Sequence, residues 1–250
     1  MSDLDQASLS NVEPSLRIFF SADIVGSTAY KQKNINDPEI WFDVVLSFYR
    51  EAENSFSRRW NLNKKPFESL ANEDGKELFG EPPEVWKTVG DEVLFSKKVD
   101  HPIQVVTSLY SWIDTLGDLG KLLIKPGLNV KSSAWIAEFP VRNSEVILRK
   151  KIDDQPFDDA EMSHVIANFI LLKEYQRNRD DYVRDFIGPS IDTGFRLGAY
   201  ASVRKLAISI ELAYILGVEG SIKKQANSKY SVGILDLRPL TVRYGGRVFT

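Results

Sequence analysis

The sequence predicts an α+β fold of the split βαβ type, in which two strand–helix–strand units interleave in one sheet. Three observations carry this. Leu16 to Phe20 is a short apolar run of the kind that forms a buried strand. Residues 38–60 repeat Trp41, Val44, Val45, Phe48, Tyr49, Ala52 and Phe56 at helical spacing. Trp86 to Phe95 then sets two β-rich runs around Gly90-Asp91, the mark of a hairpin with Asp91 at its tip.

Taken in order, residues 1–14 are polar and acidic and are expected to form a disordered leader, with one domain over 15–250. The strand from Leu16 leads to Asp23, and the long helix follows. Residues 61–84 carry one turn signal after another and are expected to form a surface loop. After the hairpin, Ile103, Val106, Leu109, Tyr110, Ile113 and Leu116 predict a second helix stopped near Gly117. Leu128 to Phe139 predicts a strand closed by Pro140. The charged stretch from Arg149 through Asp159 is read as a solvated insertion. A helix is expected across Met162 to Leu172, another behind Gly188-Pro189, a strand within Leu206 to Leu216, and a closing hairpin from Val232 to Phe249 broken at Tyr244-Gly245-Gly246.

Composition excludes several functions. A net charge of −3, from 32 basic and 35 acidic residues, gives no electrostatic footprint for nucleic acid or an anionic membrane. With no cysteine there are no disulfides or thiolate metal sites, which suits a cytoplasmic protein. No apolar run approaches the ~20 residues of a membrane span. The two histidines, His101 before a proline and His164 on a helix, support no histidine-based catalysis or zinc site.

The chemistry-bearing residues fall in three stretches. Asp23 stands at the mouth where the first strand ends, placed to hold a metal, and Gly26-Ser27-Thr28 behind it can wrap phosphate oxygens if a helix opens there. In Trp86-Lys87-Thr88-Val89-Gly90-Asp91, Asp91 offers a second carboxylate. Strand alternation puts Val85, Lys87 and Val89 on one face, with Lys87 the lone cation. In Asp185-Phe186-Ile187-Gly188-Pro189-Ser190-Ile191-Asp192-Thr193-Gly194-Phe195-Arg196, Asp192 and Arg196 lie four apart on one helical face, the spacing of an exposed ion pair.

Together and in this order, the three stretches resemble the class III nucleotidyl cyclases, the adenylate and guanylate cyclase family, over roughly residues 15 to 250. The resemblance implies a ferredoxin-like split βαβ catalytic domain. It implies that Asp23 and Asp91, helped by the Ile24 carbonyl, bind two magnesium or manganese ions. Lys87 and Asp185 become the base-recognition pair and Arg196 the arginine of the transition state. Two departures stand out: Asp192 occupies the place of the family's ribose-positioning Asn, and Trp135 stands where a Gly-containing strand leaves room. Since the family divides its site between two subunits, the resemblance implies a homodimer.

A Lys donor with an Asp acceptor suits adenine or cytosine, and equally uracil, so hydrogen bonding leaves cytosine and uracil tied. Trp135 would narrow the pocket toward a pyrimidine. The compact layout is most similar to the pyrimidine cyclases of Pycsar anti-phage defence, which implies UTP as substrate, cyclic UMP as product and a separate effector protein. Cytidylate or adenylate cyclase, or a catalytically inactive cyclase-like domain that binds nucleotide and dimerises, stays open beside this reading. Arg238, Arg243 and Arg247 are further candidates for the triphosphate.

Overall fold

In a computed structural model, the structure describes residues 14–68, 78–150, 164–223, 242–244 and 247–249. The first strand, β1 (Ser15–Val25), is the centre of a five-stranded sheet ordered β2-β3-β1-β4-β7, with β2 (Glu84–Val89), β3 (Glu92–Val99), β4 (Asn129–Phe139) and β7 (Ala207–Ile208). β1 pairs antiparallel with β3 and β4, β3 antiparallel with β2, and β4 parallel with β7. The first four strands thus realise the expected split βαβ order, and β7 extends it.

β1 is apolar on both faces through Ile18, Phe19 and Phe20 because both faces are covered there. Ile18, Phe20, Ala22 and Ile24 enter a large cluster with Phe48, Ala52 and Phe56 of α2 (Pro38–Glu68). Val105, Leu109, Trp112, Leu119 and Leu123 of α3 (Pro102–Ile124) complete it, with Leu212 of α6 (Ile210–Lys223). Phe19 points the other way, into a second cluster with Leu94, Trp135, Ala137, Phe139, Phe186 and Ile191. That cluster is roofed by β6 (Tyr182–Ile187) and α5 (Pro189–Leu197). Each large apolar side chain buried on either face contributes about 1.5–3 kcal/mol, so two faces with different roofs hold β1 rigidly.

α2 and α3 are tied together at Asp118, which accepts from Ser55 at 2.7 Å and from Arg59 through two nitrogens at 2.8 Å each. Burial pushes its carboxyl up, but the bonds from Ser55 and Arg59 outweigh that and hold it well below the usual carboxylate range. Away from the site, Lys97 is buried, donates to the carbonyls of Phe79 and Glu81 and lies 4.6 Å from the Trp60 ring centroid. Burial pulls its ammonium down to about 8.

Several elements differ from the expectations above, each for a local reason. α3 passes through Gly117 because its apolar stripe continues at Leu119 and Leu123. It ends at Ile124, and in the turn that follows, Gly127, with φ 71°, lets its N–H reach Ile124 O and Leu128 N–H reach Leu123 O. The strand expected over Leu206 to Leu216 shrinks to β7, since the Ser209 hydroxyl accepts from Leu212 N–H at 3.3 Å and caps α6. α2 continues to Glu68, through the start of the expected loop. A strand not foreseen from the sequence, β5 (Ser144–Arg149), pairs antiparallel with β6 and ends at the first residue of the expected insertion. Two further α-helices among the described residues are α1 (Ser27–Lys33) and α4 (His164–Arg177), and β8 (Val242–Tyr244) and β9 (Arg247–Phe249) form the closing hairpin. Residues 1–13, 69–77 and 151–163, the segment Val232 to Leu237, and Arg238 lie outside the described residues. His101 caps α3, its Nδ1 accepting from Ile103 N–H at 3.2 Å. Among the described residues no helix is long and apolar enough to cross a membrane.

Candidate active site

The face of the sheet opposite α2 and α3 changes character along β1. In successive rows across β4, β1 and β3, Trp135–Phe19–Ser96 gives way to Ser133–Ser21–Leu94 and then to Lys131–Asp23–Glu92. The apolar part lies under α5, and the polar part opens into a cleft of about 230 Å³. Ser21, Asp23, Glu92, Lys131, Ser133 and Phe195 are among the residues that line it. Asp23 therefore stands at a mouth, as its place in the sequence implies.

Three carboxylates act on one another here. Lys131 Nζ lies 3.1 Å from Asp23 Oδ2, and Lys31 Nζ lies 3.1 Å from Asp91 Oδ1. Glu92 accepts from the Ser21 hydroxyl. Burial raises the Glu92 carboxyl, the Ser21 bond opposes this, and the charges of Asp23 and Asp91 raise it further. Asp91 lies in the hairpin turn as expected, and the Tyr49 hydroxyl donates to the neighbouring Gly90 carbonyl. Behind Asp23, α1 opens at Ser27 after Gly26, with no side-chain cap on its first-turn amides.

The donor set is compatible with a hard cation: oxygen ligands only, each aspartate already facing an ammonium group. No cluster of three His, Cys, Asp or Glu side chains forms a ready metal cage among the described residues. A cation at Asp23 and Asp91 would thus need further oxygens, of which phosphate is one source.

The second group lies where β2 meets β6. Lys87 Nζ donates to Asp185 Oδ1 at 2.8 Å, so the structure brings together the pair that the sequence sets 98 residues apart. The register of β2 shifts between Val85 and Lys87, a bulge at Trp86 that breaks the expected alternation. Lys87 consequently shares its side with an aromatic neighbour: its Nζ lies 4.2 Å from the Trp86 ring centroid and 5.8 Å from that of Phe195. Phe195 links the two groups, since it also lines the cleft beside Asp23.

α5 carries Asp192 and Arg196, both exposed, and no ion pair joins them to each other or to any other described residue. The helix starts where Gly188, at φ 138°, runs against Arg142 and Asn143, and a Cβ there would come within 2.6 Å of Asn143 Oδ1. Asn143 Oδ1 accepts from Ser190 N–H at 3.0 Å, anchoring the first turn. Trp135 does not line the cleft. It is 1% exposed, stacked on Phe19 at 5.4 Å and pressed against Gly194, and its indole N–H has no partner among the described residues. The ring of Phe195, which lines the cleft, lies 6.0 Å from that of Trp135. The Ile24 side chain belongs to the large cluster, leaving only its backbone for the site. Arg243 and Arg247 sit on the β8–β9 hairpin.

Lys31, Lys131, Glu92, Trp86 and Phe195 are additions to the site that sequence reasoning missed. Strand alternation from Asp23 finds Ser21, and Glu92 follows Asp91, but Lys131 needs the β1–β4 register and Trp86 needs the bulge.

No family model and no curated protein matches the sequence. Solved structures do match in fold. The adenylyl cyclase CyaB from P. aeruginosa is 12% identical with a TM-score of 0.53, covering 82% of each chain. The guanylate cyclase domain of RhGC from Catenaria anguillulae, in complex with GTP, is 10% identical with a TM-score of 0.52, over 82% of this chain and 84% of that one. The dimeric guanylyl cyclase domain of the RhoGC fusion protein from the aquatic fungus Blastocladiella emersonii is 11% identical with a TM-score of 0.51, over 83% and 86%. With the split βαβ sheet and the α5–β6 roof on its open face, the chain has the α+β fold of the adenylyl and guanylyl cyclase catalytic domains.

Proposed function

We propose that the chain is a nucleotidyl cyclase that closes a nucleoside triphosphate to its 3′,5′-cyclic monophosphate and releases diphosphate, with UTP as the favoured substrate. The observation that carries this reading is the pairing of Lys87 with Asp185 on a fold that also gathers Asp23, Asp91, Glu92 and Lys131 at one sheet end. In the reaction the ribose 3′-oxygen attacks the α-phosphorus. The bond from that phosphorus to the oxygen bridging to the β-phosphate breaks, diphosphate leaves, and the 3′-hydroxyl proton passes to solvent.

Magnesium or manganese, when bound, supplies Lewis acidity toward the 3′-hydroxyl and the phosphate oxygens. Asp23 and Asp91 would hold it, and their lysine partners would be released toward the anionic triphosphate. Lys87 would donate to a ring or carbonyl acceptor of the base, and Asp185 would accept from its donor. Arg196, with no ion pair among the described residues, would meet negative charge on the phosphoryl group, where a placed guanidinium is worth roughly a thousandfold in rate. The aromatic crowding of Lys87 by Trp86 and Phe195 favours a small base over a purine. Asp192, a carboxylate in place of an amide, would accept from a ribose hydroxyl but could not donate.

The two groups are proposed to act across a symmetric homodimer, Asp23 and Asp91 of one copy with Lys87, Asp185 and Arg196 of the other. Mixing inactive Asp91→Ala chains with inactive Arg196→Ala chains should then restore cyclic nucleotide formation, because one of the two sites in a mixed dimer is whole. Mixed dimers verified by mass that stay inactive would contradict the shared site.

A further inference from the structure

We propose that Asn143 is a positioning residue that caps α5 from outside the helix and thereby holds Arg196 where it meets the phosphoryl group. The step to Arg196 rests on the reading of that residue as the arginine of the transition state.

α5 opens without a cap of its own. Its N-cap is Gly188, which has no side chain to offer, and Pro189 follows with no N–H. Asp192 N–H bonds to Gly188 O at 3.0 Å, leaving the Ser190 N–H among the first-turn donors that no helix carbonyl reaches. Asn143, in the turn between β4 and β5, supplies the missing acceptor: its Oδ1 accepts from Ser190 N–H at 3.0 Å. The same amide donates through Nδ2 to the Ser190 hydroxyl at 3.1 Å and to Glu138 O at 2.9 Å. Asn143 is 1% exposed, so its acceptor oxygen and both donor hydrogens are engaged within the protein.

The helix start is also seated on that turn, since a Cβ at Gly188 would come within 2.7 Å of Arg142 O and of Asn143 Cα. Through Asn143 the first turn of α5 is tied to the Glu138 carbonyl of β4, the strand whose Trp135 packs against Gly194. α5 is therefore fixed to β4 at two points, one polar at Ser190 and one apolar at Gly194. Arg196 lies six residues beyond Ser190, about 9 Å along the axis of a short helix. Loss of the polar point leaves α5 free to swing about the Gly194 contact, and Arg196 swings with it.

The test is hydrogen exchange of the α5 amides, read by mass spectrometry, beside kcat and KM for UTP with manganese. In Asn143→Ala the peptide spanning residues 188–197 should exchange about tenfold faster while peptides of β1 do not change. Its kcat should fall about tenfold with KM within about threefold, because Arg196 acts on the transition state. Asn143→Asp keeps an oxygen on Ser190 N–H, at a helix start where negative charge is favoured, but loses the bond to Glu138 O. It should stay within about threefold of the wild type in both readouts, whereas a role confined to the β4–β5 turn would make it as poor as Asn143→Ala. Exchange in Asn143→Ala as slow as in the wild type, or an Asp variant that loosens α5 as much as the Ala variant, would overturn the cap. A loosened α5 with unchanged kcat would overturn the link to Arg196. If Asn143→Ala does not fold, Asn143→Asp decides by the same exchange readout: slow exchange supports the cap and fast exchange overturns it. Wild-type protein that forms no cyclic nucleotide defeats the proposed function, and the exchange result still decides the cap.

Discussion

Asp23→Ala or Asp91→Ala is expected to abolish cyclic nucleotide formation, by at least about a hundredfold in kcat/KM, because each removes a carboxylate proposed to hold the cation. Neither change should unfold the chain. Asp23 and Asp91 retain 29% and 22% side-chain exposure, and their lysine partners 34% and 31%. Ion pairs this exposed contribute about 0–1 kcal/mol, so losing one leaves a lysine that can turn to water. Thermal melting beside a product assay checks both halves. Loss of fold in either variant, or turnover close to wild type, would remove these carboxylates from the metal site.

The second large effect is structural. A Cβ added at Gly194 would lie 2.1 Å from Trp135 Cε2 and 2.3 Å from Cδ2. The indole cannot yield, being 1% exposed and stacked on Phe19. Gly194→Ala must therefore lift α5 from the sheet, at a cost of about 1–3 kcal/mol or more. For a domain this large that is roughly 2–4 °C in Tm per kcal/mol. Because α5 carries Asp192, Phe195 and Arg196, activity should fall more than the melting temperature suggests. A variant that melts with the wild type and turns over normally would show that this close approach does not position the helix.

The same contact shows what a sequence discloses about a site. β1 announces itself by its apolar run, and Asp23 by standing where that run ends. Gly90-Asp91 announces the hairpin, and Gly188-Pro189 the start of α5. All of these are local signals, written within a few residues. The Lys131–Asp23–Glu92 row is a matter of register between strands more than 35 positions apart, which no local pattern records. Trp135 was expected at the pocket because a large residue stood where room was needed. In the structure Gly194 provides the matching hollow and the ring goes into the core, a pairing of two distant residues. β7 and α6 were misread because Ile208 and Ile210 alternate like a strand while the Ser209 cap, a single hydroxyl, starts a helix. The bulge at Trp86 is the plainest case, since alternation alone put Lys87 among apolar neighbours and hid the indole that lies beside it.

The most direct test of the proposed chemistry is to incubate the protein with ATP, CTP, GTP and UTP separately in manganese or magnesium and to identify the products by mass spectrometry. A 3′,5′-cyclic monophosphate with stoichiometric diphosphate, formed best from UTP, is the expected result. Folded, metal-supplied protein that forms no cyclic nucleotide from any of the four, or one that prefers GTP, would contradict it.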